Sequence, residues 1–323
     1  MKITFIDAKN LAFRAGFGVG PLSYNGKPTN VLHGFPLMLL DCMDYVGDGE
    51  YVITWDGPPP HRRADEAAEM TWRKAKAVYS NYKGNRTPSE QTEEIYEQLP
   101  ALGRFLDMIG LPQIGEWGLE ADDLLGICGA DRARAGETVY LYSNDRDLYQ
   151  LAALQNVYLI VPKEGGGVRD LDCEEILRKT QVHPQDWAKL KALMGDASDN
   201  YKPVPGVGPV SAAKYLRIGV DPSLPYFADH KSAVQAQAEK LRPFWPGIQE
   251  AYMLALIPVS PDYRHFDAKL QQRARRALQQ ISDRRRRMSR KELDKRVQDV
   301  VHFCSAYDLN AVLSRRRDFF RYA

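Results

Sequence analysis

Three short apolar segments, each followed by an aspartate, constrain the fold of this chain more than any other feature. They read KITFID, ending at Asp7, YVITWD, ending at Asp56, and TVYLYSND, ending at Asp145. Helical patterns such as TEEIYEQLPALGRFLDMIG separate them, and this alternation favours an α/β fold with a parallel central sheet. Because ligand groups gather beyond the carboxyl ends of parallel strands, we expect the three aspartates to be neighbours in space.

The rest of the chain has a different pattern. Residues 61–91 are rich in charge and poor in aliphatic side chains, which predicts a solvent-rich helical excursion from the sheet. Beyond about residue 170 the pattern becomes helical, with one helix predicted at 231–241. We therefore expect an α/β region at 1–175 and a helical region at 176–323.

Length and composition exclude some classes of protein. The 323 residues suffice for one large domain or two smaller ones. No apolar run approaches the roughly 20 residues that span a bilayer, so we expect neither a membrane segment nor a signal peptide. The four cysteines are scattered and form no CxxC motif, which favours free thiols in the reducing cytoplasm.

Positive charge is concentrated towards the end of the chain. Residues 261–323 contain 17 lysines and arginines against 8 aspartates and glutamates, whereas residues 1–260 contain 27 against 34. This split predicts a basic surface for a polyanion and an acidic focus elsewhere.

Nine carboxylates could form that acidic focus. Three lie at the start of a predicted helix, two flank the end of a strand at i, i+2, and two more are one helical turn apart. With the two other strand-end aspartates, the set is Asp7, Asp56, Glu120, Asp122, Asp123, Asp145, Asp147, Asp196 and Asp199.

Gathering these carboxylates requires positive charge. Two like charges about 4 Å apart repel by about 4 kcal/mol at an effective dielectric constant near 20. Few lysines lie near the acids in sequence, so we expect divalent cations to compensate them. Oxygen ligands without histidine or cysteine favour Mg²⁺ or Mn²⁺, and two such ions could activate a water and neutralise a phosphate.

The segment VPGVGPVSAAKYL follows the last two acids directly. Gly206 and Gly208 permit a tight hairpin, and Pro209 is well placed as the first residue of a helix. The amides at that helix start would suit a DNA phosphate, and Lys214 adds charge one turn further on.

These residues carry a family resemblance. In order, FIDAKNLAFRA, TWDG, YKGNR, GLEADDLLG, YSNDRDLYQL and LMGDASDNYKPVPGVGPVSAAKYL resemble motifs of the 5′-nuclease superfamily. That superfamily includes flap endonucleases, bacteriophage 5′-exonucleases and the 5′-nuclease domain of bacterial DNA polymerase I. The resemblance covers about residues 1–220, and FCSAYDLNAVLSR is similar to the family's last helix. It implies a PIN-like catalytic region with a helical arch at about 61–100, and a helix–hairpin–helix DNA-binding element at about 193–220.

The resemblance also implies roles for single residues. Asp7, Asp56, Glu120, Asp122 and Asp123 match one metal cluster, and Asp145, Asp147, Asp196 and Asp199 match a second. Lys83 and Arg86 in YKGNR match the basic pair at the base of the arch, which contacts the scissile phosphate. The hairpin, with Gly206, Gly208, Ser211 and Lys214, matches the element that grips duplex DNA, where a potassium ion often bridges backbone carbonyls to a phosphate. Arg14 matches a basic residue after the first aspartate.

The function implied is a structure-specific 5′-nuclease, both flap endonuclease and 5′-3′ exonuclease, that acts in primer or flap removal. Its expected partners are DNA with a 5′ flap or 5′ end and RNA–DNA hybrids. We expect a monomer in the cytoplasm of a bacterium or a phage-infected cell. The arginine-rich stretch at 273–296 matches no motif of the family.

Three alternatives remain open. A PIN-type ribonuclease shares the acidic α/β site but normally lacks the hairpin and the arch. A catalytically silent duplex-binding module could use the same hairpin, although binding a polyanion gains nothing from concentrated negative charge. A metal phosphatase would use a DxD such as Asp145–Asp147, but its nucleophilic DxD should follow the first strand.

Overall fold

The computed structural model describes residues 1–63, 71–85, 87–202, 204–224, 239–259, 268–282 and 289–321. Two sequence predictions fall wholly or largely outside these ranges, namely those for Arg86 and for the helix at 231–241. Residues 283–288 of the arginine-rich stretch also lie outside them.

A six-stranded sheet forms the centre of the molecule. Its strands are β1 (Lys2–Asp7), β4 (Glu50–Thr54), β5 (Gln113–Ile114), β6 (Thr138–Tyr142), β7 (Val157–Pro162) and β8 (Val168–Leu171), while β2 (Ser23–Tyr24) and β3 (Lys27–Pro28) form a separate hairpin. The order in the sheet is β5-β4-β1-β6-β7-β8, and all neighbouring strands are parallel except β7 and β8, which form an antiparallel edge. The predicted α/β fold with a parallel sheet is thus confirmed, apart from this edge.

The three central strands run in the same direction and end at one edge of the sheet. Strand β1 ends at Asp7, as predicted, but β4 ends two residues before Asp56 and β6 three residues before Asp145. Strands β1 and β4 are almost wholly buried, because helices cover both faces of the sheet.

Helices pack on both faces of the sheet. One face is covered by α1 (Ala8–Gly18), α2 (Asn30–Val46), α4 (Glu90–Met108), α11 (Arg290–Ala306) and α12 (Asn310–Ser314). The other face is covered by α5 (Ala121–Arg134), α6 (Cys173–Thr180) and α10 (Ala268–Ser282). Within the described ranges, none of the helices is both long and apolar enough to span a lipid bilayer.

A third apolar core lies in the helical region. It is built from α7 (Trp187–Met194), α8 (Pro209–Arg217) and α9 (Trp245–Ala255). Tyr82, from the predicted excursion, is buried in the same core. The helical region and the excursion are therefore packed together.

The prediction of a solvent-rich excursion at 61–91 is only partly correct. The short helix α3 (Trp72–Lys76) begins with two residues that are 5% and 1% exposed, Trp72 and Arg73. Burial of Arg73 is possible because carboxylates and backbone carbonyls accept hydrogen bonds from its guanidinium. Beyond Ile95, helix α4 belongs to the core of the α/β region.

Candidate functional site

A cavity of about 1140 Å³ opens where the central strands end. Eight of the nine predicted carboxylates line it, and its described lining contains neither histidine nor cysteine. The expectation that the strand-end aspartates would be neighbours agrees with this arrangement. The eight carboxylates are Asp7, Asp56, Glu120, Asp122, Asp145, Asp147, Asp196 and Asp199.

The ninth carboxylate, Asp123, is fully buried and is not part of the lining. It accepts a hydrogen bond from the indole N–H of Trp72 at 2.9 Å and from the backbone N–H of Glu120 at 3.0 Å. The second bond belongs to a capping box at the start of α5. Asp123 therefore has a structural task at the helix start, and its position does not favour the predicted role as a metal ligand.

Arg73 compensates the acids at the start of α5. Its guanidinium lies 3.3 Å from Glu120, 3.0 Å from Asp122 and 2.9 Å from Asp123. We refer to Arg73 and these three acids as the Arg73 group. The same guanidinium donates to two backbone carbonyls at the end of α9. Burial nevertheless raises the pKa of Asp122 well above its ordinary value and that of Asp123 to about 6, although Arg73 acts in the opposite direction.

Lys191 on α7 compensates a second set of acids. Its Nζ lies 2.6 Å from Asp147, 2.7 Å from Asp196 and 3.4 Å from Asp199, and these four residues are called the Lys191 group. Burial alone would lower the pKa of Lys191, but the three carboxylates hold it well above its usual range. Burial also raises the pKa of Asp147 to about 6, against the effect of Lys191.

The spacing of Asp196 and Asp199 does not reflect a helix, contrary to our prediction. Helix α7 ends at Met194, and Gly195 follows with a φ of 76° and a ψ of 171°, a backbone conformation that lies outside the helical region and is open essentially only to glycine. The next residues form a turn that is closed by reciprocal backbone hydrogen bonds between Asp196 and Tyr201. The turn, rather than a helical face, brings both carboxylates to Lys191.

Asp7 and Asp56 lie side by side in unequal surroundings. Asp7 caps α1 and accepts from Ser143 Oγ at 2.9 Å, whereas Asp56 accepts from Lys9 Nζ at 2.8 Å. Burial, and then the charge of Asp56, raises the pKa of Asp7 to about 7. Burial would raise the pKa of Asp56 as well, but Lys9 and Lys83 hold it below its ordinary value.

Asp145 lies beside this pair and caps the short 3₁₀ helix Arg146–Ala153. Its side chain accepts a hydrogen bond from the backbone N–H of Asp147 at 2.9 Å. This link connects the strand end at Asp145 to the Lys191 group.

Lys83 projects into the cavity from the loop before α4. Its Nζ lies 2.6 Å from Glu120 and 4.8 Å from the centre of the Tyr82 ring. Its backbone is left-handed, with a φ of 55°, which is uncommon for a residue with a side chain. The backbone N–H of Lys83 donates to the carbonyl of Asp199 at 3.1 Å, so the loop is attached to the turn that carries the acids.

Of the four cations that lie among the acids, only Lys83 was predicted from the sequence. Among the described residues, no three carboxylate, imidazole or thiolate groups converge closely enough to hold a metal ion as they stand. Lys9, Lys83, Lys191 and Arg73 lie between them instead. Lys191 had a detectable signal, because it interrupts the apolar face of WAKLKALM, whereas the pattern around Arg73 contained none.

The predicted hairpin joins α7 to α8 next to the cavity. Gly206 has a φ of 75°, which requires glycine or strain, whereas Gly208 is extended and caps α8. Pro209 is the first residue of α8, as predicted, and lines the cavity. Lys214 is exposed on α8 and Ser211 is half-buried.

Arg14 lies on α1, away from the cavity lining. Its guanidinium donates to the carbonyl of Lys163 at 3.4 Å. Its predicted role in DNA binding stays a prediction.

Comparison with known proteins identifies the family. Residues 2–181 match the family described as 5′-3′ exonuclease, N-terminal resolvase-like domain. Among its relatives, a 5′-3′ exonuclease of Aquifex aeolicus is 30% identical over 219 residues, which are 67% of this chain and 70% of that protein. The chain therefore belongs to the 5′-3′ exonuclease family, a family of nucleases.

Other relatives are longer. DNA polymerase I of Bacillus subtilis is 31% identical over 221 residues, and the match covers 67% of this chain but 23% of the polymerase. The chain thus spans about a quarter of the length of the DNA polymerase I relatives that it matches. Among solved structures, zinc-bound bacteriophage T5 5′-exonuclease is similar with a TM-score of 0.60 and 18% identity, over 94% of this chain and 99% of that one. This similarity establishes a shared fold.

Proposed function

We propose that the protein hydrolyses phosphodiester bonds of DNA near junctions between single strand and duplex, and leaves 5′-phosphate and 3′-hydroxyl ends. The observation that carries the proposal is the cavity itself, in which eight carboxylates and Lys83 adjoin a glycine–proline hairpin. Membership of the 5′-3′ exonuclease family supports the same activity. The similar phage proteins are described as a 5′-exonuclease with zinc bound and as a flap endonuclease in complex with DNA and metal ions.

The donor chemistry of the cavity fits divalent cations. Its carboxylates supply hard oxygen ligands, and burial, followed by the charge of Asp56, raises the pKa of Asp7 to about 7. Asp7, Asp56 and Asp145 are the residues that we expect to hold Mg²⁺ or Mn²⁺ first, with Glu120 and Asp122 beside them. Bound cations would supply positive charge to the phosphate and activate the attacking water.

Lys83 is proposed to act on the reacting phosphate. Water attacks phosphorus, the bond from phosphorus to the 3′ oxygen breaks, and that oxygen leaves with a proton. Negative charge grows on the phosphate oxygens during this step, and a fixed ammonium group there lowers the barrier. Arg86 is proposed to assist, as its place in the YKGNR motif implies.

The hairpin is proposed to hold the duplex. The N–H groups at the start of α8 and the exposed Lys214 present positive charge to a phosphate backbone. Such contacts carry no sequence information, so selectivity follows the shape of the substrate. Pro209, the first residue of α8, also lines the cavity. A duplex bound at the hairpin would therefore lie at a fixed distance from the reacting phosphate.

A flap-cleavage assay tests this proposal. A 5′-labelled flap duplex is incubated with the protein in Mg²⁺, in EDTA and in Ca²⁺, beside a matched single-stranded RNA. We expect cleavage of the flap in Mg²⁺ and none in EDTA. Cleavage of the RNA alone would instead assign a PIN-type ribonuclease, and tight flap binding without any cleavage would assign a duplex-binding module.

A further inference from the structure

A buried glutamate on α9 holds the loop that leads to Lys83. Glu250 is 7% exposed, and its carboxylate accepts hydrogen bonds from three consecutive backbone N–H groups. The donors are Val78 at 2.5 Å, Tyr79 at 2.7 Å and Ser80 at 2.7 Å. The hydroxyl of Ser80 adds a fourth bond at 2.8 Å.

The hydrogen bonds to Glu250 take the place of those that a helix or a strand would provide. Residues 77–85 form neither a helix nor a strand, so their backbone N–H groups need partners elsewhere. One charged side chain supplies them for three residues in succession, and hydrogen bonds to a charged acceptor are stronger than those between neutral groups. The start of the loop is therefore anchored to α9.

The far end of the loop is anchored to a different element. The side chain of Asn200 donates to the carbonyl of Asn81 at 2.8 Å, and the N–H of Lys83 donates to Asp199. Lys83 lies three residues after the Glu250 contacts and has a left-handed backbone. A non-glycine residue keeps such a conformation only where its surroundings impose it.

We propose that Glu250 is a positioning residue for Lys83. By holding residues 78–80 on α9, its carboxylate fixes the left-handed turn at Lys83 and directs the ammonium group into the cavity. The expected effect of Glu250 on catalysis rests on the proposed function, whereas the anchoring of residues 78–80 by Glu250 does not. It also couples the helical region, which carries the hairpin, to the loop that carries Lys83.

Two variants test the inference. Glu250→Ala removes both acceptor oxygens, while Glu250→Gln keeps the shape and replaces one oxygen by an NH₂ group that faces N–H donors. Glu239→Ala, which removes an exposed carboxylate shortly before α9, is the matched control. For each purified full-length variant we would measure the single-turnover rate at saturating flap DNA, the dissociation constant of flap DNA, and amide hydrogen exchange at 78–83.

We expect Glu250→Ala to lower the saturating rate by about 100-fold, because small displacements of a catalytic group have effects of this size. The dissociation constant should change by less than about threefold, and exchange at 78–80 should become faster. In a Lys83→Ala background, Glu250→Ala should slow cleavage no further, since both changes remove the same interaction. Glu239→Ala should behave like the wild type.

A rate that falls by the same factor in both backgrounds would overturn the inference, as would unchanged exchange at 78–80. If Glu250→Ala does not fold, Glu250→Gln carries the same test, with the same expected direction in all three measurements. The two proposals fail separately. If the wild type cleaves no substrate, the proposed function fails, but hydrogen exchange still tests whether Glu250 anchors the loop. Full activity of both Glu250 variants would overturn only the positioning role of Glu250.

Discussion

The Arg73 group and the Lys191 group each contain three carboxylates around one buried cation, but the two cations are held differently. Arg73 also donates to the carbonyls of Leu254 and Leu256, and it does not line the cavity. The ammonium group of Lys191 donates its hydrogen bonds to carboxylates, and its side chain lines the cavity. One cation is tied to the backbone of a helix, whereas the other is held by acids alone.

This difference suggests separate tasks. A planar guanidinium with five donors suits a fixed junction, and the junction made by Arg73 joins α3, α5 and α9. An ammonium group is a compact charge without fixed directions, so a second cation can take over its role without rebuilding the site. We expect Arg73 to be a fixed structural cation and Lys191 to be the cation that ions in the cavity can replace.

The largest effect should come from an acid that belongs to neither group. Asp7 accepts hydrogen bonds from two neutral groups, the Ser143 hydroxyl and the backbone N–H of Asn10, so we expect it to be essential for holding divalent cations. Asp7→Asn should lower the cleavage rate by about 1000-fold or more while largely sparing the binding of flap DNA. Cleavage assays and binding titrations check this. The control is Asp48→Asn, which changes an exposed aspartate at the opposite end of the sheet. Full activity of Asp7→Asn would rule out this assignment.

Replacing each cation separately tests the comparison directly. Removing one partner of a buried ion pair costs about 3–5 kcal/mol, so Arg73→Met and Lys191→Met should both lower the free energy of unfolding in EDTA by roughly this amount. Addition of Mg²⁺ should restore part of the loss in Lys191→Met and none in Arg73→Met. Urea unfolding with and without Mg²⁺ measures the difference. An equal response of the two variants would contradict the division of tasks.

A third prediction concerns Lys83, which contacts the Arg73 group through Glu120 and the Lys191 group through the backbone of Asp199. Lys83→Ala should slow single-turnover cleavage by about 100-fold, because it removes positive charge from the reacting phosphate. The dissociation constant should change far less. Lys76→Ala, an exposed lysine of the same segment, is the control. If affinity falls while the saturating rate does not, Lys83 is an anchor for DNA.

The smallest effect is expected at the hairpin, outside both groups. Loss of one phosphate contact reduces the log–log salt slope of duplex binding by about 0.9, so Lys214→Ala should reduce it by roughly one unit. The loss of affinity should be similar across sequences and absent for a short single strand. Lys179→Ala on α6, another exposed lysine, is the control. An equal loss on single-stranded and duplex DNA would show that the hairpin does not clamp the duplex.

Much of the fold and of the acidic site could be predicted from local patterns. The strands that end near Asp7, Asp56 and Asp145 were recognisable because buried parallel strands are continuous apolar runs. The rule that parallel strands end at one edge then placed their aspartates together. The start of α8 at Pro209 and the turn at Gly206 followed from backbone restrictions that act within a few residues.

Other features could not be predicted, because they depend on residues far apart in the chain. Arg73 lies 47 residues from Glu120 and 181 from Leu254, and no local pattern identifies partners at such separations. The spacing of Asp196 and Asp199 suits a helix, yet Gly195 ends α7 and a turn stabilised by Tyr201 follows. Asp123 matched the motif like its neighbours, but packing against Trp72 excluded it from the cavity.

The sequence by itself determined the class of fold, the edge of the sheet where the acids gather and the hairpin beside them, because short-range backbone and burial preferences suffice for these features. Only the tertiary structure decided which acids share a cation and how Glu250 supports the loop of Lys83. Electrostatic balance in a buried site depends on distance in space, and lysines and arginines from remote elements supply it after the chain has folded.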